Sequence, residues 1–382
     1  MSVYLDYAAS APVRPEAAAA YAEALGRVGN PSSIHADGRA ARALLEDARE
    51  RLAAAADAHP TEVVLTSGGT ESVNIAIKGL VWNAGDGRDR VVTSPAEHHA
   101  TLDAVEWLGG RGARVELVPV DAVGRVVLPE LARVIEAGGT RAVAVLSLLW
   151  ANNEIGTIED VDAVADLAAE LGAPLHWDAV AAFGHVPVSF RRSGATAMSI
   201  SGHKFGAPIG TGALFVRRGA EPAALVHGGG QQSSRSGTMD VAGAVALATA
   251  AELAIADLAA EDRRLRSLSE RLARGIVREF PDAALTGDAV GRLPGHVHAT
   301  FPGLLGETLL FVLDQAGYSV SVGSACRAGV AEPSHVLLAI GRSEAQARSA
   351  LRITLGRATT EADVDGLLAE LPAAVAAARA AF

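Results

Sequence analysis

Val63-Val64-Leu65-Thr66-Ser67-Gly68-Gly69-Thr70-Glu71-Ser72-Val73 is the stretch on which the fold turns. A short β-branched and aliphatic run, Val63 to Thr66, ends in small and glycine residues, after which Val73, Ile75, Ala76 and Leu80 return at helical spacing. The pattern is strand, glycine turn, helix. Small residues at a helix start leave backbone N–H groups open to an anion, and the helix dipole favours negative charge there, so a phosphate is one occupant of this turn. A plain capped helix start, with Ser67 or Thr70 as the cap, accounts for the same residues.

Working outward, short apolar segments alternate with longer helical ones, the signature of βαβ units and a largely parallel sheet. Val63 to Thr66, Arg90 to Thr93, Val115 to Val120, Ala142 to Leu148, Leu175 to Trp177, Ala197 to Ile200 and Ala213 to Val216 are the expected strands, and Glu159 to Leu171, closed by Gly172, is an expected crossover helix. A long helix is expected from Val241 to Phe280. Beyond Pro281 short strands (Val297 to Phe301, Ser319 to Val322, Leu351 to Leu355) mix with helices. The expected fold is therefore α/β: a large domain, residues 14–250, around a mainly parallel seven-stranded sheet, and a smaller α+β domain formed by residues 1–13 and 251–382.

The composition, 49% hydrophobic and 20% charged over 382 residues, is that of a globular enzyme or binding protein. A formal charge of −11 and the lack of a basic stripe speak against direct nucleic-acid binding. The N-terminal run Met1-Ser2-Val3-Tyr4-Leu5-Asp6-Tyr7 lacks the basic and apolar regions of a secretory signal, and the apolar run Ala142 to Ala151 is shorter than the ~20 residues that span a bilayer. A cytoplasmic protein with no membrane partner is expected. The single cysteine, Cys326, rules out an internal disulfide and a zinc site built on several thiolates, and no metal site is expected.

Only two of the 33 basic residues are lysines, and one of them, Lys204, lies in Ser199-Ile200-Ser201-Gly202-His203-Lys204-Phe205. An amine that condenses with an aldehyde must be able to lose its proton, which arginine does not do. Asp178 ends the strand Leu175-His176-Trp177, where a carboxylate suits a protonated pyridine nitrogen or, equally, the cap of a following helix. Phosphate turn, strand-end aspartate and loop lysine together imply pyridoxal 5'-phosphate. In Glu97-His98-His99 an imidazole can stack on an aromatic cofactor and exchange a proton, while His99 reads as structural. Cys326, in Gly323-Ser324-Ala325-Cys326-Arg327, is read as a reactive thiolate favoured by Arg327, against the usual role of a free cysteine as a small buried hydrophobe. Arg352 alternates with apolar neighbours in Leu351 to Leu355 and either forks a substrate carboxylate or faces solvent.

These blocks, with Tyr4-Leu5-Asp6-Tyr7-Ala8-Ala9, Gly29-Asn30-Pro31-Ser32-Ser33-Ile34-His35, Asn152-Asn153-Glu154-Ile155-Gly156, Arg235-Ser236-Gly237-Thr238 and Leu351 to Arg357, resemble the NifS/IscS-type cysteine desulfurases, a branch of the fold-type-I pyridoxal-phosphate enzymes related to class V aminotransferases. The resemblance implies a cysteine desulfurase that converts L-cysteine to L-alanine and delivers the sulfur, held as a persulfide on Cys326, to an acceptor protein in iron-sulfur cluster assembly or thiolation. It implies Lys204 as the lysine that joins the cofactor, Asp178 as partner of the pyridine nitrogen and His98 as the stacking acid/base. It further implies Gly69, Thr70, Ser201 and His203 around the phosphate, Asn153 near the phenolic oxygen, Asn30 and Arg352 on the substrate carboxylate, and Thr238 supplied across the interface of a homodimer. The family usually carries a glutamine three residues after the aspartate, and here Ala181 stands in its place. The alternatives on the same fold are an aminotransferase, a selenocysteine lyase, or a weakly catalytic sulfur-relay protein.

Overall fold

The computed structural model describes residues 2–232, 234–323 and 332–381. After a two-residue strand, β1 (Val3–Tyr4), and two helices, α1 (Pro15–Leu25) and α2 (Ala36–Ala55), the chain builds its main sheet from β2 (Val63–Thr66), β3 (Arg90–Thr93), β4 (Arg114–Leu117), β5 (Val143–Leu149), β6 (Leu175–Asp178), β7 (Ala197–Ser201) and β8 (Gly212–Val216). The order across this sheet is β2-β8-β7-β6-β5-β3-β4. Every expected strand is present, with ends shifted by up to three residues.

β8 pairs antiparallel with both β2 and β7, so β2 and β7 run the same way and β8 alone is reversed. The cause lies in the connection. Parallel neighbours need a crossover of a dozen or more residues, and the segment between Ser201 and Gly212 is shorter than that. β5 to β8 are buried along their whole length, which explains why they read as unbroken apolar runs. Helices α3 (Gly69–Trp82), α4 (His99–Gly109), α5 (Leu128–Ala137) and α6 (Val161–Glu170) lie between successive strands.

A 39-residue helix, α7 (Val241–Glu279), then leads to β9 (Ala284–Leu285), β10 (His296–Thr300), α8 (Gly306–Gln315), β11 (Tyr318–Ser319), α9 (His335–Ala339), α10 (Glu344–Arg348), β12 (Ala350–Thr354) and α11 (Glu361–Ala380). α7 is long and apolar enough to cross a bilayer, but half of its apolar stretch is buried in the protein interior. Those from Ala244 to Ala254 join the core around the main sheet, and those from Leu265 to Ile276 join a second core with Val297, Leu351 and Leu367. Leu5 belongs to that second core, and β1 pairs in parallel with β11, so the first residues of the chain are built into the C-terminal unit.

Candidate active site

In open α/β sheets ligands bind at the carboxyl ends of the parallel strands, and here β2, β3, β5, β6 and β7 deliver their chemistry there. Asp178 is the last residue of β6 and Ser201 the last of β7, with Lys204 one 3₁₀ turn further on. His98 precedes α4 and Asn153 follows β5. Because β2 parallels β7, the start of α3 lands beside Ser201: a Cβ built on Gly69 would sit 3.2 Å from Ser201 Cβ and 2.6 Å from Val180 Cγ2. Gly68 holds φ +147°, a conformation open to glycine, and α3 has no side-chain cap at its N-terminus. The capped-start alternative for Ser67 or Thr70 is thus not realised, and the helix start stays bare.

Gly69, Thr70, His98, Asn153, Asp178, Ser201, His203 and Lys204 line one cavity of about 580 Å³. Eight residues spread over 136 positions of sequence have been brought to a single cleft, and Ala181 lies in its wall. Beneath it His176 bridges Ser147 Oγ on β5 and Ser199 Oγ on β7, at 2.8 Å each, and so fixes the lateral spacing of the strands that present Asp178 and Ser201.

Asp178 is 2% exposed, and Oδ1 accepts the Val180 N–H at 3.0 Å. No helix starts after it, which removes the capping alternative. Burial raises its carboxyl to about 6, against the opposing pull of that hydrogen bond and of Lys204. A cationic partner on the open side is what such a group lacks. Lys204 Nζ donates to the backbone oxygens of Ala8, at 2.6 Å, and Ala9, at 3.1 Å, so the N-terminal segment closes this side of the cleft. Burial and then the Arg352 guanidinium lower the ammonium to about 8, with Asp178 and Asp6 opposing.

His98 accepts the Ala100 N–H at Nδ1, which places the proton of the neutral ring on Nε2. Burial and then the charge of Lys204 hold it down at about 4, as they do for His203. Both imidazoles are neutral at pH 7. Glu97, next to His98, is buried with Ser94 Oγ donating to it at 2.7 Å, and burial holds its carboxyl well above the usual range. His99 takes no part in the cavity and packs its ring on His335 at 4.8 Å, the structural role expected of it.

Arg352 is 5% exposed and not a solvent-facing strand residue. It donates to Asn153 O at 3.0 Å and to Asp6 Oδ1 at 2.8 Å, while its buried Nε has no partner. The sequence reading missed Asp6 as the counter-ion of Arg352, although it sits within the quoted run Tyr4 to Ala9. Arg352 borders this cavity through Asn153 without lining it, and two further expected residues lie away from it. Asn30 is exposed, with Oδ1 accepting from Ser32 at 2.7 Å and from Gln231 at 3.4 Å. Thr238 is likewise exposed. Cys326 lies outside the described residues.

The whole arrangement is that of one enzyme class, and the family model described as Aminotransferase class-V matches residues 3–367. The chain belongs to the class-V aminotransferase family. A relative from Mycobacterium tuberculosis, described as an IscS-like cysteine desulfurase, is 48% identical over 99% of this chain and 97% of its own length. A solved structure titled NifS-like protein superposes with a TM-score of 0.91 at 31% identity, covering 98% of this chain and all of that one. Another, titled SspA in complex with cysteine, reaches a TM-score of 0.80 at 29% identity, covering 93% and 99%.

Proposed function

We propose that the protein is a pyridoxal-phosphate-dependent cysteine desulfurase, which takes sulfur from L-cysteine, releases L-alanine and holds the sulfur on Cys326 for an acceptor protein. The observation that carries this reading is the pairing, in one cleft, of an amine lowered to about 8 with a buried strand-end carboxylate. Descriptions of the relatives as cysteine desulfurases, and of one solved neighbour as a complex with cysteine, support the substrate.

The residues fit the cofactor. The bare start of α3, with Gly69 and Thr70, together with Ser201 and His203, would hold the phosphate, since a Cβ at Gly69 would fill the cradle. Asp178, short of a cationic partner, would accept from the pyridinium N–H, and Asn153 would face the phenolic oxygen. Bound there, the cofactor supplies an electron sink that stabilises negative charge at the substrate's α-carbon. Lys204, neutral in a substantial fraction near pH 8, takes and returns a proton at Nζ. Neutral His98 holds a proton on Nε2, ready for the substrate's leaving side. Arg352, fixed between Asn153 and Asp6 with Nε to spare, would bind the substrate carboxylate.

Sulfur transfer balances without an outside oxidant. The Cys326 thiolate donates its electron pair to the substrate sulfur as the C–S bond breaks; the carbon keeps the two electrons of the broken bond and takes a proton. L-cysteine and a thiol thereby become L-alanine and a persulfide. Thr238, exposed and away from its own chain's cavity, suits a residue that serves the second subunit of a homodimer. Purified protein incubated with L-cysteine and a thiol reductant is expected to yield alanine and sulfide in equal amounts. A keto acid in place of alanine would establish an aminotransferase, preference for selenocysteine a lyase, and no turnover a relay protein.

Ala181 gives a second test. Ala181→Gln restores an amide donor to the cavity wall. A donor drains charge from the phenolic oxygen, so the pH midpoint of the bound cofactor's absorbance change is expected to fall by about one unit. An unmoved midpoint means that this oxygen already has its donor.

A further inference from the structure

We infer that Glu154 is a positioning residue that holds both stems of the cysteine-bearing segment against the active site. This deepens the desulfurase reading and rests on it. Glu154 directly follows Asn153 of the cavity wall and is 3% exposed. Its Oε2 accepts from Ser334 Oγ, just beyond the segment. The same oxygen lies 3.3 Å from where a Cβ on Gly323 would stand, with Glu154 Cβ and Cγ at 3.7 Å, so Gly323, at the segment's other end, lies directly against this side chain. One buried carboxylate thus touches the chain on both sides of Cys326.

Further ties run to residues of the site. Before the segment, Ser321 exchanges two backbone hydrogen bonds with Arg352, at 3.0 and 2.6 Å. After it, the His335 ring nitrogen Nε2 pairs with Glu97 O at 2.8 Å, and the ring packs on His99. Each anchor is the residue holding the substrate carboxylate or the neighbour of a cavity residue. Cys326 lies three residues along the backbone from Gly323, a reach of at most about 11 Å.

The physical consequence is an effective concentration. Transfer needs a thiol on one segment to meet a sulfur in the cleft, and that frequency depends on the loop's span and on where its ends are held. Glu154→Ala removes the one side chain that contacts both stems, leaving the backbone ties of Ser321 and the His335 contact in place, and does so without touching cofactor or substrate.

The test separates the two halves of the reaction. The first half is read as deuterium uptake at the α-carbon of cysteine recovered from heavy water, and the second as single-turnover gain of one sulfur atom by the Cys326 peptide in mass spectrometry. Glu154→Ala is expected to slow persulfide formation about tenfold with deuterium uptake and cofactor absorbance unchanged. Glu154→Gln, which keeps an acceptor of the same length, is expected to recover most of the rate. Ser334→Ala, removing the partner from the other side, should reproduce the loss if Glu154→Ala folds poorly. Persulfide formation at the parental rate in both alanine variants overturns the inference, as does equal slowing of both half-reactions. Absence of any persulfide on Cys326 in the unmodified protein would instead overturn the desulfurase reading.

Discussion

Lys204→Arg is expected to abolish activity, by at least about a thousand-fold, and to leave no protein-bound label after borohydride reduction in the presence of pyridoxal phosphate. The substitution keeps length and positive charge, so it isolates the property at issue, which is the ability of the amine to shed its proton. The chain carries its own control. Its other lysine, Lys78, lies over the Trp107 indole at 4.4 Å, away from the cleft, with Arg111 against the same ring. Peptide mapping of reduced protein should place the cofactor on Lys204 alone; label on Lys78, or none, refutes the site. The sign of the pH dependence follows from the lowered ammonium. In cofactor-free protein the rate of aldehyde capture at Lys204 should rise with pH and level off above about 8, whereas an ordinary lysine would still be rising toward about 10.4.

Cys326→Ser should bind the cofactor with an unchanged absorbance spectrum and exchange the substrate α-proton, yet release less than about 1% of the parental sulfide. A hydroxyl at that position is not ionised near neutral pH and is a far weaker nucleophile toward sulfur. The contrast with Lys204→Arg is diagnostic, because one variant loses every step and the other only the last. Retained sulfide release would show that the sulfur leaves without passing through this thiol, and the role given to Cys326 would fall.

The main strands were legible because strands buried on both faces spell out continuous apolar runs, and the loops after them stood out because each carries a distinct residue type, glycine, aspartate or lysine, at a strand's carboxyl end. Asp178, His98 and Lys204 all line one cleft. Contacts between distant parts of the chain left weaker marks. Asp6 pairs with Arg352 across 346 positions, and no local pattern announces such a partner. The carbonyls of Ala8 and Ala9 that hold Lys204 are invisible in principle, since any residue provides a backbone oxygen. The placement of Asn30 depends on a loop bonded to Gln231, far along the chain. The reversal of β8 was not read, because the expected ends at Ile200 and Ala213 leave twelve residues between the strands, enough for a crossover, and only the observed ends at Ser201 and Gly212 make the connection too short for one.

At 1.5 Å per residue, the 39 residues of α7 form a rod of about 58 Å. It lends apolar side chains to one core near its beginning and to the other near its end, with no break between. Melting either core strips the helix of half its support, so the two halves of the molecule share a fate under heat or denaturant and cannot come apart as beads on a string.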